Sequence, residues 1–356
     1  MSSTMNLHSS SQSADRSDWL PTLHLAEDEV TEITALIAGL TDEFGSVENP
    51  HFQRYMTVYS QELPRRIRRF MNDLRLLEPT AAMAVITGYP LSDLALEPTP
   101  SAWGGGKNTQ QEEILLALYG SLLGDVFGWA TQQDGHLIHD VLPIKGHENK
   151  QINSASEEKI WWHTEDSFHP YRCDYVGLLC LRNLSATATT VAPLGDLDLD
   201  SEDRGLLFES HYVTRPDESH APAHRTTQDL EADRLKTQAY VRLQAMAENP
   251  PKHPVLFGDP SSPYAALDPY FMEKADDPAA QRAIDAFCRA VDTRLQEIVL
   301  KPGDVVFVDN YKAVHGRNSF TARFDGTDRW LKRVLVTRDL RKSRASRILA
   351  DSRVIY

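Results

Sequence analysis

Lys301-Pro302-Gly303-Asp304-Val305-Val306-Phe307-Val308-Asp309-Asn310, followed at once by Val314-His315-Gly316-Arg317, is the stretch from which the fold is most directly read. Pro302-Gly303 marks a tight turn, and the apolar run after it has the length and β-branched content of a buried strand. His315 follows directly beyond that strand, where strand ends line the mouth of a barrel. Similar short runs occur at Tyr175 to Leu181, Val255 to Phe257 and Trp330 to Thr337, separated by Gly-, Pro- and Asp-rich turns. Strands joined without a crossover helix at each step favour an antiparallel sheet or barrel. One long helix, Ala279 to Ile298, interrupts them and is expected to pack on the outside of that barrel.

Upstream the texture is helical. Apolar residues recur at helical spacing from Ala26 to Leu40, a second amphipathic stretch runs from about Phe52 to Leu77, and a third from Glu112 to Phe127. The expected organisation is therefore a tail over residues 1–17, disordered by its Ser- and Asn-rich composition, and a single domain over 18–356. That domain divides into a helical part, about 18–128, and a β-rich core, about 129–356, with a polar loop at about 214–234 expected to cover a site.

With 356 residues, 41% of them apolar, the chain can bury a full core, and a net charge of −14 argues against a nucleic-acid or anionic-membrane partner. Cys173, Cys180 and Cys288 are odd in number and lack C-x-x-C spacing, so neither a disulfide framework nor a thiolate zinc site is expected. The reading is a reduced, cytoplasmic protein with a small-molecule substrate, no membrane segment and an open oligomeric state.

Trp161-Trp162-His163-Thr164-Glu165-Asp166 places an imidazole and a carboxylate two residues apart, so that in extended chain both face one way and can bind the same ion. Alone, H-x-E is as readily a surface pair. With His315 on a neighbouring strand it makes two histidines and one carboxylate, the facial triad of non-haem Fe(II), which leaves three coordination positions open. Arg329, Leu331, Arg333 and Leu335 share one strand face, and Trp330, Lys332, Val334 and Val336 share the other. Period alone does not say which face is inward. If the arginines are inward, each guanidinium needs an anion, and carboxylates of a cosubstrate and a substrate would serve; if outward, they belong to a basic edge.

The segments His163–Asn183 (H-T-E-D-S-F-H-P-Y-R-C-D-Y-V-G-L-L-C-L-R-N), Ala186–Leu194 and Asp309–Arg333 together resemble the clavaminate-synthase-like Fe(II)/2-oxoglutarate oxygenases. Within that group the likeness is to hydroxylases of free arginine, asparagine and related amino acids in nonribosomal-peptide pathways, that is, in antibiotic biosynthesis. The resemblance implies an α+β fold with a double-stranded β-helix (jelly-roll, cupin-like) core and flanking helices, mostly N-terminal. It implies Fe(II) as cofactor, 2-oxoglutarate and O₂ as cosubstrates, and a free polar L-amino acid hydroxylated at C3 or C4. By the same likeness His163, Glu165 and His315 are the iron ligands, and Arg329 with Thr190 holds 2-oxoglutarate. Arg333 takes the substrate α-carboxylate, and Gln133, or its neighbour Gln132, meets the amino group together with Glu165. Asp268, in Leu267-Asp268-Pro269-Tyr270, is the candidate for side-chain recognition, against a plain turn cap before Pro269. Arginine, citrulline, lysine and asparagine remain open as substrates.

The carboxylate ligand favours hydroxylation over halogenation, while desaturation, cyclisation and a carrier-tethered substrate stay open. A non-catalytic small-ligand or metal-binding barrel is the competing class, and a dicarboxylate clamp beside a complete triad speaks against it. His220-x-x-x-His224 is set aside as a second metal motif because Pro222 opposes the helix that would align the pair. His136, His139, His169 and His211 are read as satisfying local hydrogen bonds.

Overall fold

The computed structural model describes residues 19–91, 96–106, 108–220 and 230–356. The tail expected over 1–17 lies outside them. A short strand β1 (Thr22–His24) leads into α1 (Glu27–Phe44), α2 (Pro50–Tyr59) and α3 (Arg65–Leu77), then β2 (Met83–Thr87), α4 (Gln110–Ser121) and β3 (Asp125–Trp129). Asn49 caps α2 by accepting from the backbone N–H of His51, with Pro50 in the first turn where its missing donor costs nothing. The amphipathic stretch expected from Phe52 to Leu77 is two helices, because Pro64 cannot donate to a continuing ladder. The pattern expected to stay helical to Phe127 ends at Ser121. Gly124 then lets the backbone pass the Thr337 carbonyl, 2.4 Å from where a Cβ would sit, and Val126 to Trp129 enter the sheet.

The rest of the chain supplies β4 (Ile138–Val141), β5 (Ile160–His163), β6 (Tyr175–Arg182), β7 (Thr189–Pro193), α5 (Ser201–Leu207) and α6 (Leu230–Glu248). After them come β8 (Leu256–Asp259), β9 (Ser262–Ala265), α7 (Pro278–Asp292), β10 (Gln296–Ile298), β11 (Val305–Asp309), β12 (Ala313–Arg317), β13 (Trp330–Thr337) and β14 (Val354–Ile355). The helix expected from Ala279 to Ile298 stops at Asp292, and Gln296–Ile298 pairs with Thr189–Val191 as β10. A free sheet edge has outcompeted the helical pattern there. Of the loop expected over 214–234, residues 221–229 lie outside the described residues and the final stretch begins α6. The turn before β11 is as the sequence implies. Asp304 N–H donates to the Lys301 carbonyl at 2.9 Å and Gly303 takes φ 87°, which a side chain would oppose.

Among the described residues, one sheet runs β1-β2-β11-β6-β13-β3-β14, with β4 also paired to β13, and a second runs β10-β7-β12-β5. The pairings are antiparallel except β1 with β2 and β14 with β3. The two sheets pack face to face through Leu178, Cys180, Val306 and Leu331 of the larger against Val191, Ile298 and Ala313 of the smaller. Helices α1 to α4 cover the outer face of the larger sheet through Ile33, Phe52, Ile67 and Leu115. On the outer face of the smaller sheet, Trp162, Ala192 and Val314 pack under α5 and α7. Because both faces of β13 are covered, all eight of its residues are buried, which explains why its apolar and cationic positions alternate without an obvious solvent side. No described helix is long and apolar enough to cross a membrane.

Candidate metal centre and substrate cavity

His163 is the last residue of β5 and His315 is its direct cross-strand partner on β12. Thr164 turns the other way and is stitched to Leu267, its N–H donating to the Leu267 carbonyl and its Oγ1 accepting from the Leu267 N–H. Two-residue alternation therefore brings Glu165 back to the face of His163. Glu165 Oε2 lies 3.7 Å from His163 Nε2 and 3.2 Å from His315 Nε2, and one ligand atom from each residue falls within 4.8 Å of the others. His163 Nδ1 donates to the Trp161 carbonyl at 2.8 Å, which leaves the Nε2 lone pair free for a metal. Asn310, directly after β11, fixes the carboxylate's backbone: its Oδ1 accepts from Glu165 N–H at 2.6 Å and its Nδ2 donates to the Glu165 carbonyl at 3.0 Å. The donor set and its spacing suit a six-coordinate ferrous ion held on one face.

The triad opens into a cavity between the sheets, lined also by Leu178, Thr189, Arg317, Arg329, Leu331 and Arg333. The arginine face of β13 is thus the inward one. Arg329 is 5% exposed, its Nη2 donates to Thr189 Oγ1 at 3.3 Å, and its buried Nε has no partner among the described residues. Burial pulls its pKa down to about 10, the mark of a cation with no anion beside it among the described residues. Arg333 is engaged at both terminal nitrogens: Nη1 donates to Glu165 Oε1, and Nη2 to Gln132 Oε1 at 2.9 Å and His139 Nδ1 at 2.7 Å. Burial, then the Arg333 charge, holds His139 far below the ordinary histidine range, so it accepts as a neutral ring. Burial opposes the charge on Glu165, but Arg333 and the two imidazoles prevail and keep it ionised.

A family model described as the taurine catabolism dioxygenase TauD, TfdA family matches residues 69–335. The chain belongs to the TauD/TfdA dioxygenase family. Among curated relatives of this family it is 43% identical over 340 residues to an enduracididine beta-hydroxylase of Streptomyces hygroscopicus, covering 94% of this chain and 99% of that one. It is 45% identical over 343 residues to an L-ornithine/L-arginine 3-hydroxylase of Catenulispora acidiphila, with the same coverage. A solved structure of the non-heme iron oxygenase OrfP, in complex with Fe, succinate and (3S)-hydroxy-L-Arg, superposes with a TM-score of 0.88 at 42% identity, over 94% of this chain and all of that one.

Within this TauD/TfdA chain, two residues expected in the site lie elsewhere. Thr190 pairs with Gly316 of β12, on the face opposite His315, and its buried hydroxyl has no partner among the described residues. Thr189, opposite Arg317, is the threonine that meets Arg329. Gln133 is saturated by the β4 backbone, donating to the Asp140 carbonyl at 2.8 Å and accepting from its N–H at 2.9 Å. Gln132, the alternative weighed beside it, is the one that reaches Arg333. Asp268 is a turn cap, its Oδ1 accepting from Tyr270 N–H at 3.1 Å, yet it also stands close enough to His163 and Asp217 for both to move its titration. Burial raises its pKa to about 6. Asp217 and Ser219, in the loop expected to cover a site, line the cavity, though neither is singled out by the sequence, since irregular chain carries no periodic signal. His220 is buried beside them, and His224 lies outside the described residues.

Proposed function

We propose that the chain is an Fe(II)- and 2-oxoglutarate-dependent hydroxylase acting at C3 of a free, cationic L-amino acid of the arginine or ornithine type. The observation that carries this reading is Arg329: a buried guanidinium that, among the described residues, meets a neutral hydroxyl and no carboxylate, in the same cavity as three converging metal ligands. Burying such a charge is costly unless a ligand brings the anion. The two face-packed sheets serve as the jelly-roll core that holds this arrangement.

His163, Glu165 and His315 hold the iron. Arg329 and Thr189 grip the distal carboxylate of 2-oxoglutarate, a task suited to a planar bidentate donor. The bound metal, cosubstrate and O₂ supply the oxidising chemistry, with succinate and CO₂ as by-products. Arg333 receives the substrate α-carboxylate, while Gln132 and Glu165 are the acceptors within reach of its ammonium. At the other end Asp217 and Asp268 present carboxylates to a cationic side chain. Fixing both ends sets which carbon faces the metal, and the protein's contribution is this placement together with exclusion of water. The named relatives, which act on enduracididine, ornithine and arginine, support a cationic substrate and C3. The product then serves as a hydroxylated building block for antibiotic biosynthesis.

The test is succinate release by iron-loaded protein given 2-oxoglutarate, O₂ and a panel of amino acids. Arginine or ornithine should stimulate release strongly and yield the 3-hydroxy product, asparagine should not. Stimulation by none of them would favour a binding module or a tethered substrate.

A further inference from the structure

A buried ion pair lies beside the cavity and takes no part in the roles assigned above. His220 Nε2 is 3.0 Å from Asp166 Oδ1, with the side chains 2% and 1% exposed. The remaining polar atoms of both are used: Asp166 Oδ2 accepts from Trp129 Nε1 at 2.7 Å, and His220 Nδ1 pairs with Thr131 Oγ1 at 2.7 Å. Buried pairs of this kind are poor sources of stability, because desolvation offsets their attraction; in some proteins they instead specify a single arrangement.

The arrangement they specify is that of the cavity wall. His220 ends the short helical turn Glu218–His220, which follows Asp217, and Asp217 and Ser219 line the cavity. Ser219 Oγ accepts from Gln132 Nε2 at 2.6 Å, and Gln132 Oε1 accepts from Arg333 Nη2 at 2.9 Å. Asp166 directly follows Glu165 and sits at φ 50°, a backbone conformation that its contacts must hold. The ion pair, together with the hydrogen-bond chain from Ser219 through Gln132, therefore ties the segment carrying Asp217 to the Arg333 guanidinium.

We propose that His220 is a positioning residue that sets substrate length: through Asp166, and through its own 3.1 Å contact with Gln132, it fixes where Asp217 and Ser219 stand relative to Arg333. This rests on the reading of the site as one for a cationic amino acid. A substrate one methylene longer is then held with its carbons shifted relative to the metal, because the wall does not retreat. Freeing the wall removes that discrimination without touching the 2-oxoglutarate end, where Arg329 and Thr189 stand.

The experiment measures kcat/KM for arginine and for homoarginine in the iron-loaded wild-type enzyme, His220→Ala and Thr131→Val. The arginine-to-homoarginine ratio should fall about tenfold in His220→Ala and roughly threefold in Thr131→Val, with KM for 2-oxoglutarate changed less than about twofold. A mere loss of folded enzyme lowers both substrates equally and leaves the ratio in place. An unchanged ratio in both variants, a rise in KM for 2-oxoglutarate parallel to the loss, or a wild-type ratio already near one overturns the proposal. Should His220→Ala not fold, Thr131→Val alone decides by the same criterion. Wild-type enzyme that turns over no cationic amino acid brings down the functional reading itself, whereas an active wild type with unmoved ratios brings down only the role of His220.

Discussion

Thr189 and Thr190 are chemically identical and one residue apart, yet only Thr189 faces Arg329. Thr189→Val should raise KM for 2-oxoglutarate roughly tenfold, the worth of a hydrogen bond to a charged group, while Thr190→Val leaves it nearly unchanged. Equal effects from the two would contradict the inward placement of Thr189. Asp268 makes a second test at this scale. A carboxyl is neutral below its pKa, so with burial raising that value to about 6 the anion offered to a cationic side chain disappears as pH falls through 6. The kcat/KM for arginine should show this inflection, and Asp268→Asn should lose it while running at a lower plateau. An inflection that persists in the variant assigns the titration to another group. The sequence brings His163, Glu165, His315, Arg329 and Arg333 forward as candidates, with their roles taken from the family resemblance, because H-x-E alone and period alone leave a surface pair and an outward arginine face open. It does not separate Thr189 from Thr190, or Gln132 from Gln133, because parity is fixed by cross-strand pairing and by a turn rather than by residue type.

Among elements, β11 and its exit do more than fill the core. Asn310 accepts from and donates to the backbone of Glu165, and also donates to the Cys173 carbonyl at 2.9 Å, joining three segments at one buried amide. Asn310→Ala removes a backbone clamp next to a metal ligand. Spectroscopic iron titration should show affinity reduced about 10–100-fold, with stability lower by about 1–3 kcal/mol for the groups left unsatisfied. Unaltered iron affinity would mean that the carboxylate is placed by its neighbours alone. The element boundaries illustrate what local pattern cannot carry. The helical periodicity after Asp292 is real, but Gln296–Ile298 sits where β7 offers an unpaired edge, and that partner is distant in sequence. Pro64, by contrast, divides α2 from α3 through local geometry that the chain itself states.

At the scale of the whole molecule the larger sheet is a shared wall, with helices on one face and the cavity on the other. Its central strand β13 carries Arg329, Leu331 and Arg333 inward and Lys332 outward, where Nζ donates to Asp140 at 2.6 Å and Glu113 at 2.8 Å. Asp140 also accepts from Trp330 Nε1 at 2.8 Å and is 4% exposed. Lys332→Met would leave a buried carboxylate uncompensated, and urea denaturation should show a loss of about 3–5 kcal/mol. A loss under about 1 kcal/mol would mean that the strand is held by apolar packing alone. The architecture of helices followed by antiparallel strands was legible from texture, whereas the four-layer stacking depends on which face of β13 is inward, and only the folded chain decides that. The central claim is that this cavity joins metal, 2-oxoglutarate and a cationic amino acid in one orientation. Anomalous diffraction at the iron edge, on anaerobic crystals with Fe(II), 2-oxoglutarate and L-arginine, measures it directly. The account predicts one iron peak bonded to His163, Glu165 and His315, a 2-oxoglutarate carboxylate on Arg329, and the arginine guanidinium against Asp217 and Asp268. Iron elsewhere, or the substrate reversed with its guanidinium toward Arg333, would contradict it.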